Sequence, residues 1–263
     1  LTDPSRTYPC DSLLVSGVRR ADVEQKFANW TQVLGMSSRP VAEKSVSRLY
    51  DRALACEKKD TSSNVFETFA SLMDKYLFDP NSPLRDEDLY GAYASRLAAY
   101  EGYTEVQKEK YARDARLCAL NKVGTKAADF RFADRRGKIR TLHEIDSPMT
   151  LLFFSNPGCQ SCLDIINAIQ SRPYIPAMLA SGSLSIVNIY IDYDIDSWKS
   201  YAHEYPESWI NAYDYEHRIY GDEIYYVRAI PSLYLLDSEK RIIFKDVPVE
   251  RALAYIEETL KIQ

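Results

Sequence analysis

The spacing of apolar residues changes near residue 122, and this change rules out one kind of layer for the whole chain. Before it, apolar residues recur every three or four positions. "ADVEQKFANWTQVLG" sets Val23, Phe27, Trp30 and Leu34 at that spacing. "SSNVFETFASLMDKYLF" repeats it with Val65, Phe69, Leu72, Met73 and Tyr76, and "EDLYGAYASRLAAYEG" with Leu89, Tyr93, Leu97 and Tyr100. Each stretch carries one apolar stripe that a neighbour must cover. Pro40, Pro80 and Pro83 interrupt the pattern. An all-α bundle of four or five helices is expected. No signature repeats at a fixed period, so a bundle is preferred to a helical-repeat array.

After "NKVGTKAADF" the apolar residues form continuous runs. "MTLLFF" and "LSIVNIYID" read as strands buried on both faces. "DFRFADRRGKIRTL" reads as two short strands around a turn at Arg136-Gly137, and "SLYLLDSEKRIIF" as a hairpin turning through Asp237 to Lys240. "CLDIINAIQ", "IDSWKSYAHEY" and "VERALAYIEETL" read as helices, the second capped by Asp194 or Asp196. This order describes an α/β fold, a central mixed sheet covered by helices. Two domains are expected, a helical one over residues 1–122 and an α/β one over 123–263, with Gly124 as the helix stop between them.

The chain has 263 residues, 46% of them hydrophobic, enough to form cores without disulfide staples. Its net charge of −5 gives no basic bias for a nucleic-acid partner. No apolar run approaches the roughly 18 residues of a membrane span. Most of the 20 tyrosines are expected to be packing residues with a wet hydroxyl. Starting at Leu1 rather than Met, the chain reads as a trimmed or mature product.

There are five cysteines. Cys10, Cys56 and Cys118 have no metal-ligand spacing. Cys56 and Cys118 fall in helical stretches and read as small packing residues, with a disulfide between them left open. Cys159 and Cys162 lie three apart in "NPGCQSCLD", straight after "TLLFF". That spacing alone fits a working thiol pair, a metal clip or an inert disulfide. Zinc needs four ligands, and His143, His203 and His217 have no matching spacing. "DYDID" resembles the start of a calcium loop, but Ser197 stands at the position that needs glycine and His203 where glutamate is needed. No metal or other cofactor is expected.

Three signals occur in order. An apolar strand runs into Cys159-Gln160-Ser161-Cys162 at a helix start; Ile230-Pro231-Ser232 opens a later apolar strand; a hairpin and helix end the chain. In this order, residues 124 to 263 resemble the thioredoxin superfamily. The leading hairpin, "WINAYD" and "YYVRAIPSLYLLD" are similar to its TlpA/ResA branch of bacterial envelope thiol-disulfide oxidoreductases, which includes lipoproteins with a helical domain in front.

The resemblance implies disulfide exchange with protein thiols or disulfides, recharged by an upstream redox partner. Cys159 would be the nucleophile, favoured as thiolate by the helix N-terminus, and Cys162 the resolving thiol. Ile230 and a cis Pro231 would position substrate beside the sulfurs. The implied location is the cell envelope, as a periplasmic protein or an outer-membrane lipoprotein with a lipid anchor in its precursor. Three positions depart from the superfamily's pattern. Gly158 replaces the tryptophan before the first cysteine, Phe153 stands where the buried acid is expected, and Ile165 near the position of a glutamate. Asp164, one position off, is left with water as the candidate proton carrier. No cation lies between the cysteines, which leans toward a reductase rather than a strong oxidant. The alternative is a non-enzymatic interaction module with an inert disulfide. Trp209 or Tyr213, in an aromatic stretch before Pro231, are expected to line a substrate groove.

Overall fold

The first helices form where the apolar stripes lie, and their ends are set by local capping. The structure, a computed structural model, describes residues 13–262; Cys10 lies outside them. A short hairpin, β1 (Leu14–Val15) and β2 (Val18–Arg19), leads into α1 (Arg20–Met36). α2 (Arg39–Lys59) carries Pro40 in its first turn, where a missing N–H removes no hydrogen bond. α3 (Val65–Met73) ends in a π-helical turn over Asp74–Phe78, so the periodic stretch there is not one regular helix. α4 (Glu87–Ala98) is capped by Asp86, whose side chain accepts from the Leu89 N–H at 3.0 Å and also receives Arg39 at 2.8 Å. α5 (Glu105–Cys118) opens on a capping box between Thr104 and Gln107.

These helices bury an aromatic core. Phe66 is fully buried, with its ring 4.7 Å from Tyr100 and 5.7 Å from Tyr50. Tyr90 and Tyr93 are fully buried too, rather than half-wet. α4 and α5 approach through Gly91, where a Cβ would come within 2.7 Å of the Cys118 Cβ. Cys118 is buried and Cys56 exposed, and no disulfide joins them.

The described chain divides between Ala119 and Leu120 into two compact units. Residues just after the division are tied into the second unit. Lys245 Nζ donates to the Leu120 carbonyl at 2.6 Å, and Asn121 Nδ2 donates to the Ile224 carbonyl at 2.7 Å. α5 stops at Cys118, short of Gly124, which instead donates its N–H to the Ile242 carbonyl at 2.7 Å.

The second unit is a seven-stranded mixed sheet with helices. In chain order come β3 (Arg131–Asp134), β4 (Ile139–Thr141), β5 (Met149–Phe154), α6 (Gln160–Gln170), α7 (Ile175–Ser181), β6 (Leu184–Tyr190) and α8 (Ile195–Tyr201). β7 (Ile210–Asp214), α9 (Arg218–Gly221), β8 (Ser232–Leu236), β9 (Ile242–Phe244) and α10 (Val249–Ile262) follow. The sheet order is β4-β3-β7-β6-β5-β8-β9. β5, β6 and β7 run parallel, and β8 pairs antiparallel to β5. All six residues of β5 are buried, as its continuous apolar run requires. Leu151 and Phe153 enter one core, with α6 and α10; Leu152 and Phe154 enter the other. Asp194 caps α8, accepting from the Ser197 N–H at 3.0 Å. No helix among the described residues is long and apolar enough to cross a membrane.

Candidate active site

β5 ends at Phe154, and the next residues are held from the neighbouring strand. The Ser155 N–H donates to the Ile189 carbonyl at 3.1 Å, and Ser155 Oγ donates to Asn188 Oδ1 at 2.5 Å. Asn156 Nδ2 donates to Asp192 Oδ2 at 2.6 Å. The chain then turns through Gly158, with φ +70°, and the Cys159 N–H donates back to the Asn156 carbonyl at 3.3 Å.

Cys159 is the N-cap of α6, and its Sγ accepts from the Cys162 N–H at 3.1 Å. The two cysteines form a disulfide with Cα atoms 5.2 Å apart. Their exposure differs. Cys162 is buried at 1% exposure, while Cys159 is partly exposed. A thiol approaching from solvent therefore meets Cys159 first.

Across the sheet, Phe154 pairs with Ser232, the first residue of β8. Because β5 and β8 are antiparallel, the chain enters β8 from Ile230-Pro231 at the end of the sheet where β5 leaves for Cys159. The Ile230-Pro231 peptide is cis. Cys159 and Ile230 both pack, partly buried, against the same apolar core.

A crystal structure of a thioredoxin-like protein from Bacteroides caccae is 29% identical, covers 100% of both chains and superposes with a TM-score of 0.82. The C-terminal unit of this chain has a thioredoxin-like fold. Its thioredoxin-like sheet is similar also to two structures from Bacteroides fragilis. The C-terminal domain of an uncharacterised protein is 36% identical over 51% of this chain and 96% of that one, with a TM-score of 0.49. A conserved protein of unknown function is 31% identical over 51% and 98%, with a TM-score of 0.50. Residues 11–121 match the model of a domain of unknown function, DUF5106. Among curated proteins there is no match.

Within the thioredoxin-like unit, the other positions singled out by sequence fall in different surroundings. Asp164 lies on the exposed face of α6, and its Oδ1 accepts from Gln160 Nε2 at 3.0 Å. Phe153 is fully buried in the core that holds Cys162. Level with Phe153, on the same face of the sheet, stand Asn188 on β6 and Asn211 on β7. Asn188 Nδ2 donates to Asn211 Oδ1 at 3.1 Å, and Asn211 Nδ2 to the Pro206 carbonyl at 2.8 Å. The Tyr205 hydroxyl lies 3.4 Å from Ser155 Oγ, and burial pushes this phenol up to about 12. A neutral hydrogen-bonded chain thus lies beside Phe153. Sequence reasoning missed it, although Asn188, a polar residue in the middle of the apolar run "LSIVNIYID", was its signal.

Trp209 and Tyr213 both pack on other aromatic rings. Trp209 is 5% exposed, edge-on to Phe153 at 6.5 Å, and Tyr213 packs on Trp198 at 5.1 Å. The aromatic rings that do reach solvent near this end are Tyr193, Tyr215 and Tyr220. Tyr193 packs against His217 in a tilted pair, ring centroids 4.8 Å apart.

Proposed function

We propose that the thioredoxin-like unit is a thiol-disulfide oxidoreductase acting on protein disulfides, with a lean toward reduction. The observation that carries this reading is the pairing of a partly exposed Cys159 with a buried Cys162 at the first turn of α6. In the reduced form, the Cys159 thiolate attacks one sulfur of a substrate disulfide. A mixed disulfide forms, and the other substrate sulfur leaves as a thiolate and takes up a proton. Cys162 then loses its proton and attacks Cys159 Sγ. The second substrate sulfur leaves and is protonated, and the Cys159–Cys162 disulfide closes. Two electrons have passed to the substrate, and an upstream redox partner returns them.

Ile230 and Pro231 are assigned to positioning. They lie where β8 begins, level with the strand that delivers the cysteines, so a substrate strand pairing there would lie beside Cys159. Asp164, on the solvent side of α6, is assigned with water to carry protons from the exposed side. The location that goes with this reading is the bacterial cell envelope, with or without a lipid anchor; fractionation of cells making the natural precursor tests it.

A second reading is favoured by one observation, the apolar Phe153 in the place of a buried acid. It makes the unit an interaction module whose disulfide is inert. The decisive experiment measures insulin reduction and the reduction potential. Activity abolished by Cys159→Ser supports exchange. A potential below about −300 mV, with no turnover, supports the inert disulfide.

A further inference from the structure

The helical unit contains a cavity of about 600 Å³ between α1, α2 and α3, within the range of small-molecule sites. Its floor follows from helical spacing. Val23, Phe27 and Trp30 recur at four and three positions along α1 and form one stripe, and Leu49 and Phe69 close it from α2 and α3. Phe27 makes the bottom, buried at 3% exposure, with ring centroids 5.2 Å from Trp30 and 6.0 Å from Phe69. This floor suits an apolar chain or ring.

The rim is cationic. Lys26 comes from α1, and Arg48 and Arg52 come from α2. None of the three makes an ion pair or a side-chain hydrogen bond among the described residues. Asp22, the carboxylate at the cavity, is held by Arg19 at 2.8 and 3.0 Å and so is not free to neutralise them. Arg48 and Arg52 are four residues apart on one helix face, where like charges repel. An anion between them would relieve that repulsion, and guanidinium groups pair with carboxylates in two-pronged geometry. Apolar floor and anion-seeking rim together specify a ligand that has both characters.

We propose that this cavity binds an apolar monocarboxylate, its hydrocarbon body against Trp30 and Phe69 and its carboxylate among Lys26, Arg48 and Arg52. The site is independent of the cysteine pair and of the reaction assigned to it.

The experiment titrates the full chain with decanoate, and in parallel with decanol and acetate. Binding is followed by Trp30 emission, since Trp198 and Trp209 are buried at 1% and 5% exposure in the other unit. Trp30→Phe verifies the origin of the signal. Decanoate should give a saturable change and raise the thermal midpoint. Decanol, which keeps the chain, and acetate, which keeps the charge, should each bind at least about tenfold more weakly. Arg48→Glu with Arg52→Glu should weaken decanoate by about tenfold or more without changing decanol. Decanol equal to decanoate, or no saturable response of the wild-type chain, overturns the proposal. These comparisons use unaltered protein and hold even if the charge reversals unfold it. Unchanged decanoate affinity in a folded double variant overturns it as well.

Discussion

Phe154 and Ser232 face one another across β5 and β8, one residue before the cysteine loop begins and one residue after Pro231. This pairing brings two residues 78 positions apart in sequence to the same end of the sheet. It also makes the cysteine loop and the Ile230-Pro231 segment neighbours whose separation is set by backbone hydrogen bonds rather than by side chains.

Cys162→Ser should convert a turnover enzyme into a trap. Cys159 remains partly exposed and able to attack, but no thiol is left one turn along α6 to release the product. Mixed disulfides with substrate should accumulate on Cys159 and disappear on adding dithiothreitol. Non-reducing electrophoresis with mass spectrometry checks this; a Cys162→Ser protein that turns over like the wild type would remove the assigned roles.

Gly158→Ala should destabilise the thioredoxin-like unit although space is available. Gly158 has φ +70° and nothing within 4 Å of a Cβ placed there. The cost therefore comes from the left-handed backbone alone, about 1 kcal/mol. Chemical denaturation of the oxidised protein measures it, and a cost near zero would mean that the loop adopts another conformation.

Lys240→Met should stabilise the protein at neutral pH. Lys240 is 3% exposed, and its Nζ has no hydrogen-bond partner among the described residues. Burial pushes its ammonium below the ordinary lysine value, against the opposing charges of Asp237 and Asp146. A lowered value in the folded state means that the protonated form costs stability there. The wild type should gain stability as pH rises through that value, up to the unfolded value of 10.5. Methionine keeps the apolar stem and removes the charge. Its advantage in thermal midpoint should thus be largest below that value and vanish above 10.5; an advantage constant with pH would assign the effect to packing.

Residues 120–263 should fold when expressed alone, and Asn121→Ala should weaken that fragment. Asn121 both donates to the Ile224 carbonyl and accepts from the Ala128 N–H at 2.8 Å. Losing two hydrogen bonds corresponds to about 1–3 kcal/mol. Circular dichroism melting of the two fragments reads it, and a fragment without a cooperative melt would show that the unit depends on the helical residues.

The elements that were legible in sequence are those whose burial is uniform along the chain. "MTLLFF" is buried at every position of β5, and the stripe of α4 buries Leu89, Tyr93 and Leu97. The elements that escaped are short or mix polar with buried. β7, "INAYD", buries Asn211 and Asp214 within five residues, so hydropathy conceals it. α7, "IPAMLAS", has seven residues, too few to display a period. The π-helical turn at Asp74–Phe78 follows from hydrogen bonding that apolar spacing does not encode. At the candidate site, the cysteines and Pro231 were readable from motif order. The Ser155–Asn188–Asn211 chain was not, because its members come from the loop after β5, from β6 and from β7 and meet only through register.

The row formed by Phe153, Asn188 and Asn211 contains no group that changes charge at ordinary pH. Two electrons arriving at the disulfide must then be matched by two protons taken up at the sulfurs themselves. The midpoint potential should fall by about 59 mV per pH unit while both thiols stay protonated, and by about half that once Cys159 ionises. In a site with a titrating carboxylate beside the pair, those slopes overlap with the carboxylate's own. A break at which the slope halves then marks the pH where the Cys159 thiol ionises.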